Sequence, residues 1–153
     1  RFIQPAGAGP MGYAVPSALA RKLLTPEATV VAFSGDGGFS MTMNGLLTAV
    51  EADLPILAIV MNNDALGWSQ HSRNAFATQF ARTDYSAIAR GMGCGGFKAS
   101  TVVELESALA EALHFIREVG RPAVVNVETS MDVSFARLNY KETRALWANS
   151  QIQ

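Results

Sequence analysis

Cysteine, charge and long apolar runs are all scarce in this sequence, and each scarcity excludes a class of protein. Cys94 is the only cysteine among 153 residues, so the chain has no internal disulfide, and we expect a reducing compartment, the cytoplasm. The formal net charge is −1, which argues against a nucleic acid or an anionic membrane surface as partner. The longest uninterrupted apolar run, residues 54–61, is much too short to span a bilayer.

Apolar residues, in contrast, are plentiful. They make up 49% of the chain, against 16% charged residues, and this balance predicts a globular domain with its own core. We expect one domain over residues 1–130, followed by a polar tail, residues 131–153, that packs on the domain or on a partner. The chain begins with Arg1 and shows no signal peptide, so we expect a fragment of a longer polypeptide or a separate subunit.

The most informative stretch of the chain lies between Thr29 and Ala65. Apolar runs at residues 29–33 and 56–61 predict two strands, and between them a glycine-rich turn, residues 35–38, precedes a helical pattern over residues 41–51. This order of elements is a βαβ unit. Both strands are continuous apolar runs, which is typical of a parallel sheet covered on both faces.

Helices and strands continue to alternate along the rest of the chain. Helix 85–90 follows Asp84 as its N-cap, and helix 102–119 lies between a capping box, Thr101 and Glu104, and Gly120. The remaining predicted elements are a helix over residues 13–24 and strands over residues 97–100 and 122–128. The sequence therefore predicts an α/β fold, a doubly wound parallel sheet with helices on both faces.

The turn after the first strand has the chemistry of an anion site, with one exception. Glycines let backbone N–H groups approach an anion, and the start of a helix adds a positive dipole end. Asp36 stands inside this turn, however, and a carboxylate about 4 Å from a phosphate charge is repelled by roughly 4 kcal/mol at an effective dielectric of about 20. A divalent cation between the two reverses the sign, and Mg²⁺ prefers such oxygen ligands. Asn63 adds an amide oxygen at the end of the next strand, so the residues alone indicate a metal-bridged diphosphate site.

The two motifs and their separation resemble the signature of thiamine diphosphate enzymes. Gly35-Asp36-Gly37 is followed by a spacer, residues 38–61, and then by Asn62-Asn63. The resemblance covers roughly residues 5–130 and implies the thiamine diphosphate-binding fold of the pyrophosphate domain. It implies Mg²⁺ bound by the side chains of Asp36 and Asn63 and by the carbonyl of Ala65. It also implies that Gly35 and Leu66 contact the cofactor, and that Gly37 and Gly38 present amides to the diphosphate.

The first twelve residues contain too much glycine and proline for regular structure. Within them, Gly9-Pro10-Met11-Gly12 is similar to a pattern of the acetolactate synthases. By that resemblance, the Gly9 carbonyl would accept a bond from the aminopyrimidine, and Met11 would hold the cofactor in its bent conformation. The alternative interpretation is that this segment is a linker, or that Met11 is a residue of the core.

A long polar connection, residues 64–83, follows the second strand, and loops of this length are often functional. By resemblance, Trp68 and Ser69 would line the substrate pocket. Acetolactate synthases usually carry aliphatic or thioether residues at these positions, so the identity of the substrate stays open. His71 could contact the substrate and Arg82 could pair with a carboxylate, or each could be a solvated loop residue.

The resemblance also implies a function that this chain performs in part. It implies a thiamine diphosphate- and Mg²⁺-dependent decarboxylase or carboligase that acts on 2-oxo acids and resembles acetolactate synthase. In the family, the catalytic glutamate belongs to a pyrimidine-binding domain, and no glutamate here matches it. We therefore expect no catalytic residue in this chain, a pyrimidine-binding domain from the same or another polypeptide as partner, and a homo-oligomer, either a dimer or a tetramer.

Three other functions are compatible with the same residues. One is a lyase for 2-hydroxyacyl compounds, and another is an inactive relative that binds the cofactor only for structure. The third is a non-catalytic, Rossmann-like nucleotide-binding module. That module would carry a G-x-G-x-x-G turn, whereas the turn that begins at Gly35 lacks the third glycine.

Overall fold

The computed structural model describes residues 2–5, 7, 9–67, 69 and 76–130. The expected tail, residues 131–153, lies outside this part of the chain, as do Trp68 and His71. The helices are α1 (Ala14–Leu24), α2 (Asp36–Ser40), α3 (Gly45–Glu51), α4 (Tyr85–Gly91) and α5 (Val102–Val119). The strands are β1 (Val31–Gly35), β2 (Leu57–Asn62), β3 (Gly95–Ala99) and β4 (Ala123–Glu128).

The four strands form one sheet in which every neighbouring pair is parallel, in the order β1-β2-β4-β3. Gly35, the last residue of β1, is in register with Met61 of β2, and Asn62 at the end of β2 is in register with Glu128 at the end of β4. Because all the strands run the same way, their carboxyl ends meet at one edge of the sheet. The expectation of a parallel α/β sheet is therefore confirmed.

Helices cover both faces of the sheet. On one face, Val60 and Val124 pack with residues of α1 to α4, among them Phe39 and Leu46. On the other face, Val125 packs with the small residues of α5. Neighbours along one strand, such as residues 124 and 125, thus belong to opposite cores, which explains why these strands are apolar throughout. This arrangement is the doubly wound one.

The helix after β1 begins earlier than the sequence predicts. The glycines at residues 35–38 predict a turn and the apolar spacing predicts a helix over 41–51, but the chain is already helical at Asp36 and turns at residues 41–44 instead. Phe39 explains the difference, because its buried ring packs edge-to-face on Tyr85 with centroids 5.4 Å apart. This contact favours helical geometry where the propensity of glycine opposes it.

The predicted caps of the later helices are confirmed. The Asp84 carboxylate accepts the amides of Ser86 and Ala87, and the Thr101 hydroxyl accepts the amide of Glu104. Gly120 ends α5 in the left-handed region with a φ of 71°. None of the helices in the described part of the chain has the length and apolar character that a membrane span demands.

Cys94 is buried, as expected for a small apolar residue of the core. Burial raises the pKa of its thiol to about 11. The thiol is therefore protonated at neutral pH and is a poor nucleophile.

Close packing of α4 on β3 gives the first testable prediction. A Cβ atom at Gly96 would lie 2.0 Å from the carbonyl oxygen of Ser86. Backbone cannot move aside as a flexible side chain can, so we expect Gly96→Ala to lower the free energy of unfolding by at least about 1–3 kcal/mol. Urea denaturation followed by circular dichroism measures the change.

Gly91→Ala is the matched control, because a Cβ atom at Gly91, in α4, would meet nothing within 4 Å. We expect the stability of this variant to stay the same or to rise by about 0.5–1 kcal/mol. Equal losses in the two variants would show that the helix–strand contact is not what requires glycine.

Candidate functional site

The candidate site lies where β1 and β2 end. Asp36 directly follows β1, and Asn63 directly follows β2. Because the two strands are paired in parallel, the predicted closeness of these residues is confirmed. Ligands of open parallel sheets bind at this edge.

The Asp36 carboxylate joins the two strand ends. The side chain is buried, with 3% of the residue exposed. Its Oδ1 accepts the amide of Gly37 at 2.7 Å, and its Oδ2 accepts the amides of Asn63 at 3.2 Å and Ala65 at 3.1 Å. An ionised carboxylate has about four acceptor positions. Three amides therefore hold it in place and still leave it able to bind a cation.

The turn after β2 contains a second candidate ligand, the carbonyl oxygen of Ala65. Asp64 adopts a left-handed conformation with a φ of 56°, and its amide donates to the side-chain oxygen of Asn62 at 3.2 Å. The carbonyl of Ala65 accepts one amide, that of Gly67, at 2.9 Å. A carbonyl oxygen has two lone pairs, so this one can also bind a cation.

Negative charge is concentrated at this edge. Oδ1 of Asp64 is buried and has no hydrogen-bond partner within the described part of the chain. Burial raises the pKa of the Tyr85 phenol, and the negative charges of Asp36 and Asp64 raise it further. A bound cation would be complementary to this charge.

The oxygen atoms available as metal ligands at this edge suit a hard cation. Among the residues that the structure describes, no cluster of three or more His, Cys, Asp or Glu side chains could hold a metal. A metal at this edge would therefore need a mixed set of oxygens: one carboxylate, one side-chain amide and one backbone carbonyl. Mg²⁺ in proteins is typically bound by one or two carboxylates together with substrate phosphates. The oxygens of Asp36, Asn63 and Ala65 fit that pattern.

Close approach of neighbouring side chains favours glycine at two positions of this segment, residues 37 and 38. A Cβ atom at Gly37 would lie 2.4 Å from Cδ2 of Leu66 and 3.0 Å from Cε of Met11. A Cβ atom at Gly38 would lie 2.8 Å from Oγ of Ser34. Gly35 differs, because a Cβ there would meet nothing within 4 Å. The turn is thus packed on its inner side and open at Gly35.

A cleft of about 650 Å³ brings most of the predicted site residues together. Its walls also include β1, the inner face of α1 and residues 2–5, which the sequence did not mark as part of a site. The predicted residues that line it are Gly9, Met11, Gly35, Asp36, Gly38, Ala65, Leu66 and Ser69. Gly37 and Asn63 are not among the lining residues, but their backbone amides donate to Asp36, which is. Trp68 is outside the described residues, so its position in a substrate pocket stays a prediction.

Backbone hydrogen bonds join the first residues of the connection after β2 to residues near its end. The amide of Leu66 donates to the carbonyl of Thr78 at 2.7 Å, and the amide of Phe80 donates to the carbonyl of Asp64 at 2.8 Å. These two bonds close the connection into a loop whose base lies directly beside Asp36. These hydrogen bonds join residues 12 and 16 positions apart, and the sequence gave no signal of them.

An ion-pair cluster fixes the end of the same loop to the sheet. Glu128 accepts bonds from Lys98 at 2.7 Å and Arg82 at 2.8 Å, and from the hydroxyl of Ser100 at 2.6 Å. These partners, first Lys98 and then Ser100 and Arg82, lower the pKa of Glu128 to about 2. Arg82, whose partner the sequence left open, thus pairs with a carboxylate of the protein itself.

Fold and site together define a parallel α/β domain with a buried carboxylate and a glycine-rich segment at the carboxyl edge of its sheet. Over residues 1–127, the chain matches the family described as thiamine pyrophosphate enzyme, C-terminal TPP binding domain. The chain therefore belongs to this family, and the predicted resemblance is confirmed.

Relatives with curated names support the same family. The protein YdaP of Bacillus subtilis is 37% identical over 131 residues, which are 82% of this chain and 22% of that protein. The acetolactate synthase isozyme 3 large subunit of Escherichia coli is 36% identical over 124 residues, 76% of this chain and 22% of that protein. The sulfoacetaldehyde acetyltransferase of Alcaligenes xylosoxydans xylosoxydans is 28% identical over 132 residues, 82% of this chain and 22% of that protein. The chain spans about a fifth of the length of these relatives.

The second prediction tests the oxygens of the site. Asp36→Asn removes the charge and keeps one of the two acceptor oxygens, so that it leaves fewer backbone amides without an acceptor than alanine would. We expect the affinity for Mg²⁺, in the presence of thiamine diphosphate, to fall at least about 10²- to 10³-fold. Asn63→Ala removes an uncharged ligand and should cost at least about tenfold. Isothermal calorimetry with thiamine diphosphate in excess measures both affinities.

Alanine is unsuitable at position 36, because it would leave three amides without their acceptor at roughly 1–3 kcal/mol each. Asn44→Ala is the control for Asn63, since the Asn44 side chain is exposed and caps no helix. Wild-type affinity in both Asp36→Asn and Asn63→Ala would contradict the assignment.

Proposed function

We propose that this domain holds the diphosphate of thiamine diphosphate at the carboxyl edge of β1 and β2, through Mg²⁺ bound to Asp36, Asn63 and the Ala65 carbonyl. The proposal rests on the hydrogen bonds of Asp36. Its buried carboxylate accepts amides from the segment after β1 and from the segment after β2. The proposed ligands are thus held together before a cation binds. Preorganised ligands lose little conformational entropy on binding.

The glycine turn would hold the diphosphate beside the metal. The Gly38 amide lies in the first turn of α2, and Gly35 borders open space in the cleft. Gly37, expected to present its amide to the diphosphate, donates it to Asp36 in this structure. We therefore assign Gly37 first to the carboxylate, and its contact with the diphosphate stays a prediction.

Apolar and backbone groups of the cleft would orient the rings of the cofactor. Met11 is half exposed and lies over Gly37 together with Leu66. An unbranched thioether adapts to the surface of a ring, and the Gly9 carbonyl, on the same wall, would accept from the aminopyrimidine. When bound, thiamine diphosphate supplies a carbon nucleophile and an electron sink for breaking or forming bonds next to a carbonyl.

Within the described part of the cleft, we assign no acid that would exchange a proton with the aminopyrimidine. Among the described residues that line it, Asp36 is the only one with a carboxylate, and we assign Asp36 to the metal. A glutamate from a pyrimidine-binding domain, in the same or another polypeptide, would supply this acid. Exposed apolar side chains near the cleft, Met11, Val31 and Phe33, are 49%, 49% and 64% exposed and provide a surface for such a domain.

We propose that the complete enzyme is a cytoplasmic homo-oligomer that decarboxylates or joins 2-oxo acids, as an acetolactate synthase does. Similarity to an acetolactate synthase subunit at 36% identity supports this class. Ser69 lines the cleft and would contact the substrate together with Trp68. A lyase for 2-hydroxyacyl compounds and a cofactor-binding relative without activity use the same site and differ in the substrate end of the cleft.

Cofactor preference is the third prediction. We expect the protein to bind thiamine diphosphate only when Mg²⁺ is present, because the cation reverses the repulsion between Asp36 and the diphosphate. NAD⁺, titrated under the same conditions, should bind at least about 100-fold more weakly. Calorimetric titrations with Mg²⁺ and with EDTA measure both. Tight binding of NAD⁺ without metal would support the nucleotide-binding module instead.

The same samples test whether the chain is catalytically incomplete. We expect the 153-residue chain to leave the C2–H/D exchange rate of thiamine diphosphate, followed by NMR, at its value in buffer. Adding a pyrimidine-binding domain that carries the glutamate should accelerate the exchange, and its Glu→Gln variant is the control. Acceleration by the chain alone would show that an acid of this chain takes the role we assign to the absent glutamate.

A further inference from the structure

Two buried asparagines form a contact that the proposed ligand set does not use. Asn62 is the last residue of β2, and Asn126 lies inside β4. Both side chains are buried, with 5% and 1% exposure, and Nδ2 of Asn62 donates to Oδ1 of Asn126 at 3.0 Å. Their neighbours on this face of the sheet, Val60 and Val124, are core residues. A polar pair in an apolar core is costly unless every bond is made.

The Asn62 side chain makes three bonds, and two of them reach the ends of one loop. Its Nδ2 donates to the Thr83 carbonyl at 2.8 Å as well as to Asn126. Its Oδ1 accepts the amide of Asp64 at 3.2 Å. Asp64 begins the loop and Thr83 ends it, immediately before the N-cap of α4. One side chain therefore fastens both ends of the loop to the sheet, and Asn126 sets its orientation.

Asp64 stands between Asn63 and Ala65, the two residues after β2 that are proposed to bind the metal. It has a left-handed conformation, with a φ of 56°, which aspartate adopts more readily than most residues with a side chain. The bond from its amide to Asn62 helps to hold that conformation. The next amide in the chain, that of Ala65, then meets Oδ2 of Asp36 at 3.1 Å.

We propose that the Asn62–Asn126 pair positions the Mg²⁺-binding turn, so that Asn126, which does not line the cleft, is a positioning residue for metal affinity. The inference rests on the proposed function, because it assumes that residues 63 and 65 bind the cation. It assigns to the pair the role of outer-shell partners in metal sites, whose loss typically weakens metal binding about 10- to 100-fold.

Asn126→Val is the main test, because valine fits a buried strand and removes the acceptor of Asn62. We expect the Kd for Mg²⁺, measured by calorimetry with thiamine diphosphate in excess, to rise about 10- to 100-fold. Asn126→Asp keeps an oxygen at the same place, in either protonation state, and should stay within about threefold of the wild type.

Val124→Ala is the matched control, since residue 124 lies on the same strand and face and belongs to the hydrophobic core. It should lower the unfolding midpoint and leave the Kd for Mg²⁺ unchanged. Wild-type metal affinity in Asn126→Val, or an equal loss in Val124→Ala, would overturn the inference. Absence of Mg²⁺-dependent binding in the wild-type protein would instead overturn the proposed function.

A measurement on the wild-type protein covers the case in which Asn126→Val does not fold. We expect the Asn62 side-chain amide protons and the Asp64 backbone amide proton to exchange slowly with solvent before any metal is added. NMR-detected hydrogen exchange measures them against the exposed side chain of Asn44. Exchange of the Asn62 protons as fast as those of Asn44 would overturn the inference.

Discussion

The structure of the site depends on one interaction, the acceptance of three backbone amides by the Asp36 carboxylate. Two of these amides belong to the turn after β2 and one to the turn after β1. Parallel pairing alone brings the strand ends side by side, but it does not fix the turns beyond them. Asp36 does so with a charged acceptor, and hydrogen bonds to charged groups are stronger than those between neutral groups. Loss of this carboxylate would therefore change the geometry of every proposed ligand at once.

The same carboxylate decides which ligand the site can take. A buried anion in a glycine turn opposes the binding of a bare phosphate, and a second carboxylate, Asp64, adds negative charge at the same edge. A divalent cation reverses this balance, and the donors present are oxygens. Membership in the thiamine pyrophosphate enzyme family agrees with such a site. The proposed requirement for a cation thus rests on charge as well as on resemblance.

The sequence predicts features that depend on local interactions better than features that depend on contacts between residues far apart in the chain. The strands, the helix caps at Asp84 and Thr101, and the closeness of Asp36 to Asn63 all follow from local patterns and from the parallel topology. The early start of α2 was missed, because the contact between Phe39 and Tyr85 joins residues far apart in the sequence. The Arg82–Glu128 ion pair and the Asn62–Asn126 pair were missed for the same reason. Such long-range polar pairs give no periodic signal.

The central claim is that one cation joins Asp36, Asn63 and Ala65 to a diphosphate. A crystal structure of the protein with thiamine diphosphate and Mn²⁺, a substitute for Mg²⁺ that scatters anomalously, tests it most directly. We expect one anomalous peak about 2.0–2.2 Å from a carboxylate oxygen of Asp36, the side-chain oxygen of Asn63 and the carbonyl oxygen of Ala65, with diphosphate oxygens completing the shell. A peak elsewhere, or a diphosphate bound at this edge with no metal between it and Asp36, would contradict the account.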